Sequence, residues 1–173
     1  MTNLLEMKFY KINTNYLNEL RLIDERVPFN KEYVGNSNKI RPYIGIMLTV
    51  DDIDYLVPLT SKTDKRSTYV NMPIYDQNDN KIAFLLINNM LPVPERYREI
   101  INMDGILSTD PAYYNLLINE INYLRPKKET IKRRCADVRA VKVKGETRET
   151  INTGTANYCL NLLELEEIYH LNK

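Results

Sequence analysis

The chain has 173 residues, of which 43% are hydrophobic and 27% charged. These values are ordinary for a soluble globule and predict one domain over residues 1–173. No apolar run reaches the roughly 18 residues that a membrane-spanning helix needs. Residues 1–6 lack the basic and apolar regions of a secretion signal. We therefore expect a cytoplasmic protein without a membrane partner.

The net charge of +1 conceals a strong local asymmetry. Residues 125–148 contain ten basic and three acidic side chains, or +7, whereas the rest of the chain has 14 basic and 20 acidic side chains, or −6. A one-sided positive field indicates a polyanion partner such as nucleic acid. The alternative interpretation is a solvated helix face.

The predicted elements begin with a strand at 7–12, a helix at 16–24 and a polar loop at 29–40. Two apolar runs at 43–50 and 55–59 flank an acidic tetrapeptide and predict a β-hairpin. Further strands are predicted at 69–75 and 81–88, followed by an extended segment at 90–93. Residues 96–104 are predicted to be irregular or to hold one short strand.

The second half of the chain is predicted to be helical. Asp110 and Pro111 form a good helix start for residues 112–124, and Pro126 breaks or kinks that helix. A second helix at 128–143 is predicted to bury Ile131, Cys135 and Val138 and to turn its basic side chains outward. A polar connection at 145–154 precedes a final helical segment at 160–171. Strands early and helices late predict the α+β class.

A hydroxyl and ammonium cluster follows the second hairpin strand, where the sequence reads TSKTDK at 60–65. A strand end holds such side chains in place while a loop leaves them accessible. These groups suit a phosphodiester, and RNA brings its own nucleophile, the 2′-hydroxyl. The protein then has to align the attack, neutralise the phosphorane oxygens and move two protons. Neighbouring positive charges disfavour a protonated lysine, which makes a lysine of this cluster a proton-shuttle candidate.

Other chemistries have weaker support in the sequence. His170 is the only histidine, which excludes a mechanism with two histidines, and no histidine–cysteine cluster could hold zinc. Cys135 and Cys159 are interpreted as reduced thiols, and the acidic hairpin turn as solvated turn formers. Neither a metal nor a cofactor is expected. Ser61 could also simply satisfy a backbone turn.

Five segments together resemble the toxins of type III toxin–antitoxin systems, the ToxN and AbiQ endoribonucleases. They are KFY at 8–10, RPYIGI at 41–46, YLVPLTS at 55–61, FLLINNMLPV at 84–93 and NYCLNLLE at 157–164. The resemblance implies a compact, strongly twisted antiparallel sheet with a small barrel-like core, wrapped by helices, similar to the type II toxins that cut messenger RNA.

The resemblance also implies the function and the site. It implies an endoribonuclease that is independent of metals, cuts mRNA by 2′-hydroxyl attack and leaves 2′,3′-cyclic phosphate and 5′-hydroxyl ends. A small pseudoknot RNA antitoxin would inhibit it, be processed by it and join it in a closed multimeric assembly, with a role in antiphage abortive infection. The matching positions are Thr60 and Ser61, Arg41 as an electrostatic clamp because arginine cannot act as a base, Lys65 or Lys62 as the catalytic lysine, and Tyr33 as the loop tyrosine.

The basic segment is assigned to binding of the RNA backbone because of its one-sided positive charge. Its candidate residues are Arg125, Lys127, Lys128, Lys132, Arg133, Arg134, Arg139, Lys142 and Lys144. The runner-up hypothesis is a non-catalytic RNA-binding module that uses this face. A serine–lysine hydrolase is disfavoured because the chain lacks a nucleophile elbow.

Overall fold

The computed structural model describes residues 6–30, 43–63 and 70–173. The strands in these ranges are β1 (Phe9–Ile12), β2 (Ile44–Val50), β3 (Ile53–Thr60), β4 (Met72–Tyr75), β5 (Lys81–Leu85), β6 (Leu91–Pro92) and β7 (Arg98–Ile100). The α-helices are α1 (Thr14–Ile23), α2 (Met103–Thr109), α3 (Pro111–Leu124), α4 (Lys128–Lys142), α5 (Thr153–Tyr158) and α6 (Leu162–Asn172). No helix in these ranges combines the length and apolar content needed to cross a membrane.

The strands form one antiparallel sheet in the order β4-β5-β3-β2-β1-β7, with β6 also pairing with β3. The first part of β3 pairs with β6 and its last two residues pair with β5, so β3 connects the two halves of the sheet. The predicted α+β class and antiparallel sheet are confirmed. The sheet is twisted and open rather than a closed barrel, because no pairing joins β4 to β7 within the described residues.

The predicted hairpin is β2 and β3, which pair from Gly45–Pro58 to Val50–Ile53. Its two turn residues, Asp51 and Asp52, have φ values of 50° and 64°. Two left-handed residues in succession are the signature of a type I′ turn, whose twist matches that of the strands. Aspartate tolerates this conformation better than most residues, which explains a tight hairpin without the usual Asn-Gly pair.

Gly45 allows β2 and β3 to pack closely. A Cβ atom at this position would lie 2.4 Å from the Val57 carbonyl oxygen and 2.8 Å from its carbon. Both are backbone atoms of the paired strand, so they can move only if the hairpin distorts. Glycine is therefore required here for close approach rather than for its φ angle.

We expect Gly45→Ala to destabilise the fold by at least about 1–3 kcal/mol, the usual cost of overpacking a core. The measurement is urea unfolding at neutral pH. Gly154→Ala is the matched control, because a Cβ there would meet its nearest atom, Asn152 Oδ1, at 3.4 Å. If both variants unfolded at the same urea concentration, the proposed clash would be wrong.

The helices cover the sheet and bury the apolar core. Helix α4 packs on β2, α3 packs on β4 and β5, and α1 packs against α6. Asp110 caps α3 by accepting a hydrogen bond from the Tyr113 backbone, and Pro111 occupies the first turn, as predicted. Pro126 falls in a short 3-10 segment, Arg125–Lys127, between α3 and α4. Cys135 and Cys159 are buried and unpaired with each other, and burial raises their pKa values to about 12 and about 11.

Helices α2 and α5 were missed by the sequence prediction. Neither helix has a buried residue, so neither shows the apolar period on which a helix prediction depends. Their N-caps are Asn102 and Asn152, each of which accepts a backbone hydrogen bond from the third residue after it. The N-cap residue is the main sequence signal of such a short, exposed helix. Asparagine is common in loops as well, so this signal does not identify a helix.

A buried carboxylate joins the end of α1 to the C-terminal segment. Asp24 is 5% exposed and accepts two side-chain hydrogen bonds from Arg26, at 2.7 and 2.9 Å. It also accepts the Asn161 backbone N–H at 3.0 Å, and Arg26 donates to the carbonyls of Asn157 and Cys159. Burial by itself would raise the pKa of Asp24, but these hydrogen bonds outweigh it and lower the pKa to about 2.

We expect this carboxylate to make the fold sensitive to acid. A folded-state pKa below the unfolded value of roughly 3.9 contributes about 2 kcal/mol of stability above pH 4, and protonation removes that contribution as the pH falls toward 2. Unfolding of wild type and Asp24→Asn should therefore differ most at pH 7 and converge near pH 2. Asp104→Asn, on the exposed surface of α2, is the control, and an equal difference at both pH values would refute the linkage.

Candidate active site

The predicted hydroxyl and ammonium cluster lies at the C-terminal end of β3. Thr60 is the last residue of that strand and pairs with Phe84 of β5, which fixes its position in the sheet. Its hydroxyl oxygen accepts the backbone N–H of Lys62 at 3.3 Å, and this contact turns the chain out of the sheet. Ser61 and Lys62 follow the turn as exposed residues.

These three residues line a cavity, a groove of about 560 Å³. The other lining residues come from α1 and the segment after it, from the start of β2 and the residue before it, from the end of β3, and from α3. They are Arg21, Glu25, Arg26, Val27, Pro28, Phe29, Tyr43, Ile44, Leu59, Tyr113, Leu116, Leu117 and Glu120. The strand end therefore opens onto a space that could admit part of a nucleic acid strand, rather than packing against the core.

The groove is rich in cations. Arg21 donates to the Val27 carbonyl and holds its guanidinium carbon 4.8 Å from the centre of the Phe29 ring. Arg26 is held by Asp24, and Lys62 is exposed beside Ser61. Arginine and lysine attract phosphate by charge and donate hydrogen bonds to its oxygens. Arg21, Arg26 and Lys62 thus bring positive charge that can attract a phosphodiester to a groove that Glu25 and Glu120 also line.

Three of the predicted site residues, Arg41, Lys65 and Tyr33, lie outside the described residues. Phe29, Tyr43 and Lys62 line the groove, and each is one or two positions along the sequence from residues 31–42 or 64–69, which the structure does not describe. The roles assigned to Arg41, Lys65 and Tyr33 remain predictions.

The sequence prediction missed the groove residues contributed by α1 and α3. Arg21 carries no local motif and could not have been found without the fold. Glu120 does carry a sequence signal, because it occurs between Leu117 and Ile121 on the apolar stripe of α3. In the structure it is only 3% exposed. An acid on an apolar helix stripe is unusual and would have identified a position worth examining.

Most basic side chains of residues 125–148 contact an acidic, carbonyl or aromatic group within the described structure. Arg125 pairs with Glu6 at 3.1 Å, Lys144 pairs with Asp51 at 3.1 Å, and Lys142 donates to the Ala156 carbonyl. The Lys127 ammonium lies 3.7 Å from the centre of the Tyr123 ring. Lys132 and Arg133 are exposed on α4. Lys128 and Lys132 also line a second cavity, of about 310 Å³, together with Lys8.

Arg139 does not belong to the exposed basic face that the sequence predicted. It is 9% exposed, and its guanidinium makes two hydrogen bonds to Glu166, at 2.8 and 2.9 Å. It also donates to the Tyr55 hydroxyl and to Asp51 in the hairpin turn. Asp51 is an exposed turn residue, as predicted, and it is also an ion-pair partner of Arg139. The helical period of α4 places position 139 on the buried stripe with Cys135 and Val138.

Within the described ranges, no group of three or more histidine, cysteine, aspartate or glutamate side chains could hold a metal ion. His170 is exposed on α6, with its ring 5.5 Å from that of Tyr169. The groove instead offers hydroxyls, an ammonium group and guanidinium groups. Such groups can position a phosphodiester and neutralise negative charge that develops on its oxygens.

Comparison with known proteins gives consistent similarities. The sequence model of a family described as the toxin ToxN of type III toxin–antitoxin systems matches residues 8–170. An endoribonuclease ToxN from Bacillus thuringiensis subsp. kurstaki is 36% identical over 132 residues, which are 76% of this chain and 66% of that protein. An endoribonuclease ToxN from Pectobacterium atrosepticum is 25% identical over 94% of this chain and 92% of its own length.

The fold is also similar to solved structures. A type III toxin described as selectively inhibited by a non-coding RNA pseudoknot superposes with a TM-score of 0.81 at 31% identity, over 96% of this chain and 98% of that one. AbiQ, a lactococcal antiphage endoribonuclease, superposes with a TM-score of 0.74 at 20% identity, over 96% of this chain and 97% of its own. The second similarity concerns the fold alone.

Proposed function

Because this chain belongs to the ToxN family of type III toxin–antitoxin toxins, we propose that it is an endoribonuclease toxin that cuts RNA without a metal ion. The 2′-hydroxyl of one nucleotide attacks the adjacent phosphorus and displaces the 5′-oxygen of the next. The products carry a 2′,3′-cyclic phosphate and a 5′-hydroxyl. The protein's relatives named above are endoribonucleases, and this reaction fits the groups in the groove.

One observation carries the proposal: Thr60, Ser61 and Lys62 line one wall of a groove that also contains Arg21 and Arg26. Hydroxyl and cationic donors fixed at a strand end are preorganised for the charge that develops on the phosphorane oxygens. The Ser61 and Thr60 hydroxyls donate to those oxygens, and the Lys62 ammonium neutralises their charge. Because folding of the sheet already orders these donors, the entropy of positioning them is not lost again when substrate binds.

The proton transfers and the remaining contacts are assigned by the family resemblance. Lys65, or alternatively Lys62, takes or returns a proton, since RNA cleavage requires one proton to leave the 2′-oxygen and one to reach the 5′-oxygen. Arg41 holds the phosphate, and Tyr33 contacts the nucleotide next to it. These roles are proposals for residues that the family pattern matches.

We further propose an RNA partner that regulates the toxin. A pseudoknot RNA antitoxin, cut from a repeated precursor by the toxin itself, occupies the groove, blocks messenger RNA and forms a closed protein–RNA assembly in the cytoplasm. The 31% identical neighbour is a toxin inhibited by such an RNA. Release from this RNA during phage infection would stop growth, as in abortive infection.

The exposed part of α4 is proposed as an additional RNA contact. Lys132 and Arg133 are exposed there, and Lys8 faces the same small cavity as Lys128 and Lys132. Several lysines around one polar cavity attract phosphates without reading sequence. Arg139 is omitted from this surface because it is buried.

The test is cleavage of a labelled RNA by the purified toxin in excess chelator. We expect cutting with 2′,3′-cyclic phosphate ends, and loss of cutting when the nucleotide 5′ to the scissile phosphate carries a 2′-deoxy sugar. Cutting of the 2′-deoxy substrate would exclude 2′-oxygen attack, and recovery only with added divalent metal would exclude the metal-independent mechanism. Binding without any cleavage would favour the RNA-binding module instead.

A further inference from the structure

One phenylalanine of the chain is exposed in the groove. Phe29 is 53% exposed and lines the groove, whereas the other two phenylalanines, Phe9 and Phe84, are buried. Seven further large hydrophobic side chains are exposed in the described ranges, and none of them lines the groove. Single exposed apolar residues are common on protein surfaces, but an aromatic ring in a groove that receives RNA has a chemical use.

The Phe29 ring is supported by a cation. The Arg21 guanidinium carbon lies 4.8 Å from the centre of the ring, and the same guanidinium donates a hydrogen bond to the Val27 carbonyl. A planar guanidinium over an aromatic ring makes a favourable cation–π contact. Arg21 therefore fixes the ring from one side, and the exposure of Phe29 shows that this contact leaves ring surface open to a ligand.

The backbone on either side of Phe29 is also anchored. Val27, two residues before it, is fully buried in the core. Asn30, the next residue, donates through its side-chain amide to the Ile12 carbonyl and to the Thr14 hydroxyl, each at 3.0 Å. The ring is therefore ordered before a ligand arrives, and little conformational entropy is lost when the ligand binds to it.

We propose that Phe29 is a stacking platform for one nucleobase of the RNA strand, next to the scissile phosphate. Proteins that bind single-stranded RNA combine a positively charged groove with aromatic rings on which bases stack. Ser61 and Lys62 line the same groove as Phe29, which therefore offers polar groups for a phosphate and a ring for a base. The inference rests on the proposed function, since it assigns a base-binding position to the RNA-cleaving groove.

The platform binds the face of a base and does not read its edge. Every nucleobase has an aromatic face, and the phenylalanine side chain has no hydrogen-bonding group that could distinguish one base edge from another. Adenine, cytosine, guanine and uracil should therefore differ little at this position. Removal of the base should matter much more than exchange of one base for another, and sequence preference has to come from other contacts.

The first experiment uses the wild-type protein and changes only the RNA. A short single-stranded RNA is made uncleavable by a 2′-deoxy sugar at the cut site, and each base near that site is removed in turn to leave an abasic ribose. We expect the Kd to rise by about 5- to 150-fold at one position, the usual value of one stacked base. Increases below about threefold at every position would overturn the inference.

The second experiment assigns the stacked base to Phe29. Phe29→Leu keeps an apolar side chain but loses the aromatic face, so it should bring the ratio of the Kd values for abasic and intact RNA toward one. Phe29→Tyr keeps the ring and should keep the wild-type ratio. Tyr158→Leu is the matched control, because Tyr158 is an exposed aromatic residue of α5 that does not line the groove. An unchanged ratio in Phe29→Leu would overturn the assignment.

A fluorescence measurement observes the same contact without relying on affinity. The chain contains no tryptophan, so Phe29→Trp gives the protein a single indole, at the proposed platform. Stacking of a base on that indole should quench its fluorescence, and RNA that lacks the base at the sensitive position should quench it much less. Equal quenching by the two RNAs at saturation would contradict stacking. Thermal unfolding shows whether each variant is folded.

Failure of the platform can be distinguished from failure of the proposed function. If the protein cut RNA and the abasic scan found no sensitive position, only the platform would be wrong. If it bound RNA without cutting it, the endoribonuclease would be excluded, and the abasic scan along that RNA would still decide whether Phe29 stacks a base. If it bound no single-stranded RNA, both proposals would be overturned.

Discussion

Replacement of Ser61 by alanine is expected to lower RNA cleavage by about 10²- to 10³-fold, the usual effect of removing one preorganised donor to a developing oxyanion. Ser61 is exposed at the mouth of the groove and follows the last residue of β3. Its backbone keeps the geometry that the Thr60 turn imposes, so only the hydroxyl is lost. Single-turnover cleavage of a labelled RNA measures the effect, and expression without antitoxin should no longer arrest growth.

The Ser61 prediction is specific because the fold should not change. Substitutions at exposed positions usually shift stability by less than about 0.5 kcal/mol, so thermal unfolding of Ser61→Ala should match wild type. Ser108→Ala is the matched control, since Ser108 is an exposed hydroxyl on α2 that donates to the Asp104 carbonyl. Growth arrest of wild-type strength with Ser61→Ala would remove Ser61 from the site.

Replacement of Arg139 by methionine is expected to destabilise the fold by about 3–5 kcal/mol, because it leaves the Glu166 carboxylate buried without its cation. The two side chains are only 11% and 6% exposed and share two hydrogen bonds. Tyr55 contributes its hydroxyl to the same carboxylate. Helix α4, helix α6 and strand β3 meet at this network, so its loss affects three elements at once.

The matched comparison for Arg139 separates burial from charge. Arg148 pairs with Asp137 and Glu146 but is 37% exposed, so Arg148→Met should cost less than about 1 kcal/mol. The double variant Arg139→Met with Glu166→Leu should regain much of the stability, since no buried charge is left unpaired. Urea unfolding measures all three variants, and similar midpoints for Arg139→Met and Arg148→Met would contradict this account.

The elements with strong local signals were predictable from the sequence. Two strand-length apolar runs rich in β-branched and aromatic residues predicted β2 and β3, and the Asp110–Pro111 start predicted α3. The cluster of Thr60, Ser61 and Lys62 was also predictable, because an apolar strand that ends in hydroxyls and a lysine places them at the end of that strand whatever the rest of the fold. These features depend on neighbours within a few residues.

The basic segment shows where a local pattern was not sufficient. Its charge was correctly counted, but charge along a sequence does not tell which face a side chain occupies. Arg139 faces Glu166, which is 27 residues away in the chain, and Asp51, which is 88 residues away. Only the packing of α4 on the hairpin and on α6 makes it a core residue.

What the sequence determined by itself was the class of fold, the family resemblance and the polar strand end, because each depends on residue type and spacing. What only the tertiary structure decided was the second wall of the groove. Arg21 of α1 and Glu120 of α3 line the same groove as Ser61, although they are separated from it by about 40 and 59 positions in the chain. Contacts at that separation form when the apolar faces of the helices are buried against the sheet, and no local pattern records which side chains that burial brings together.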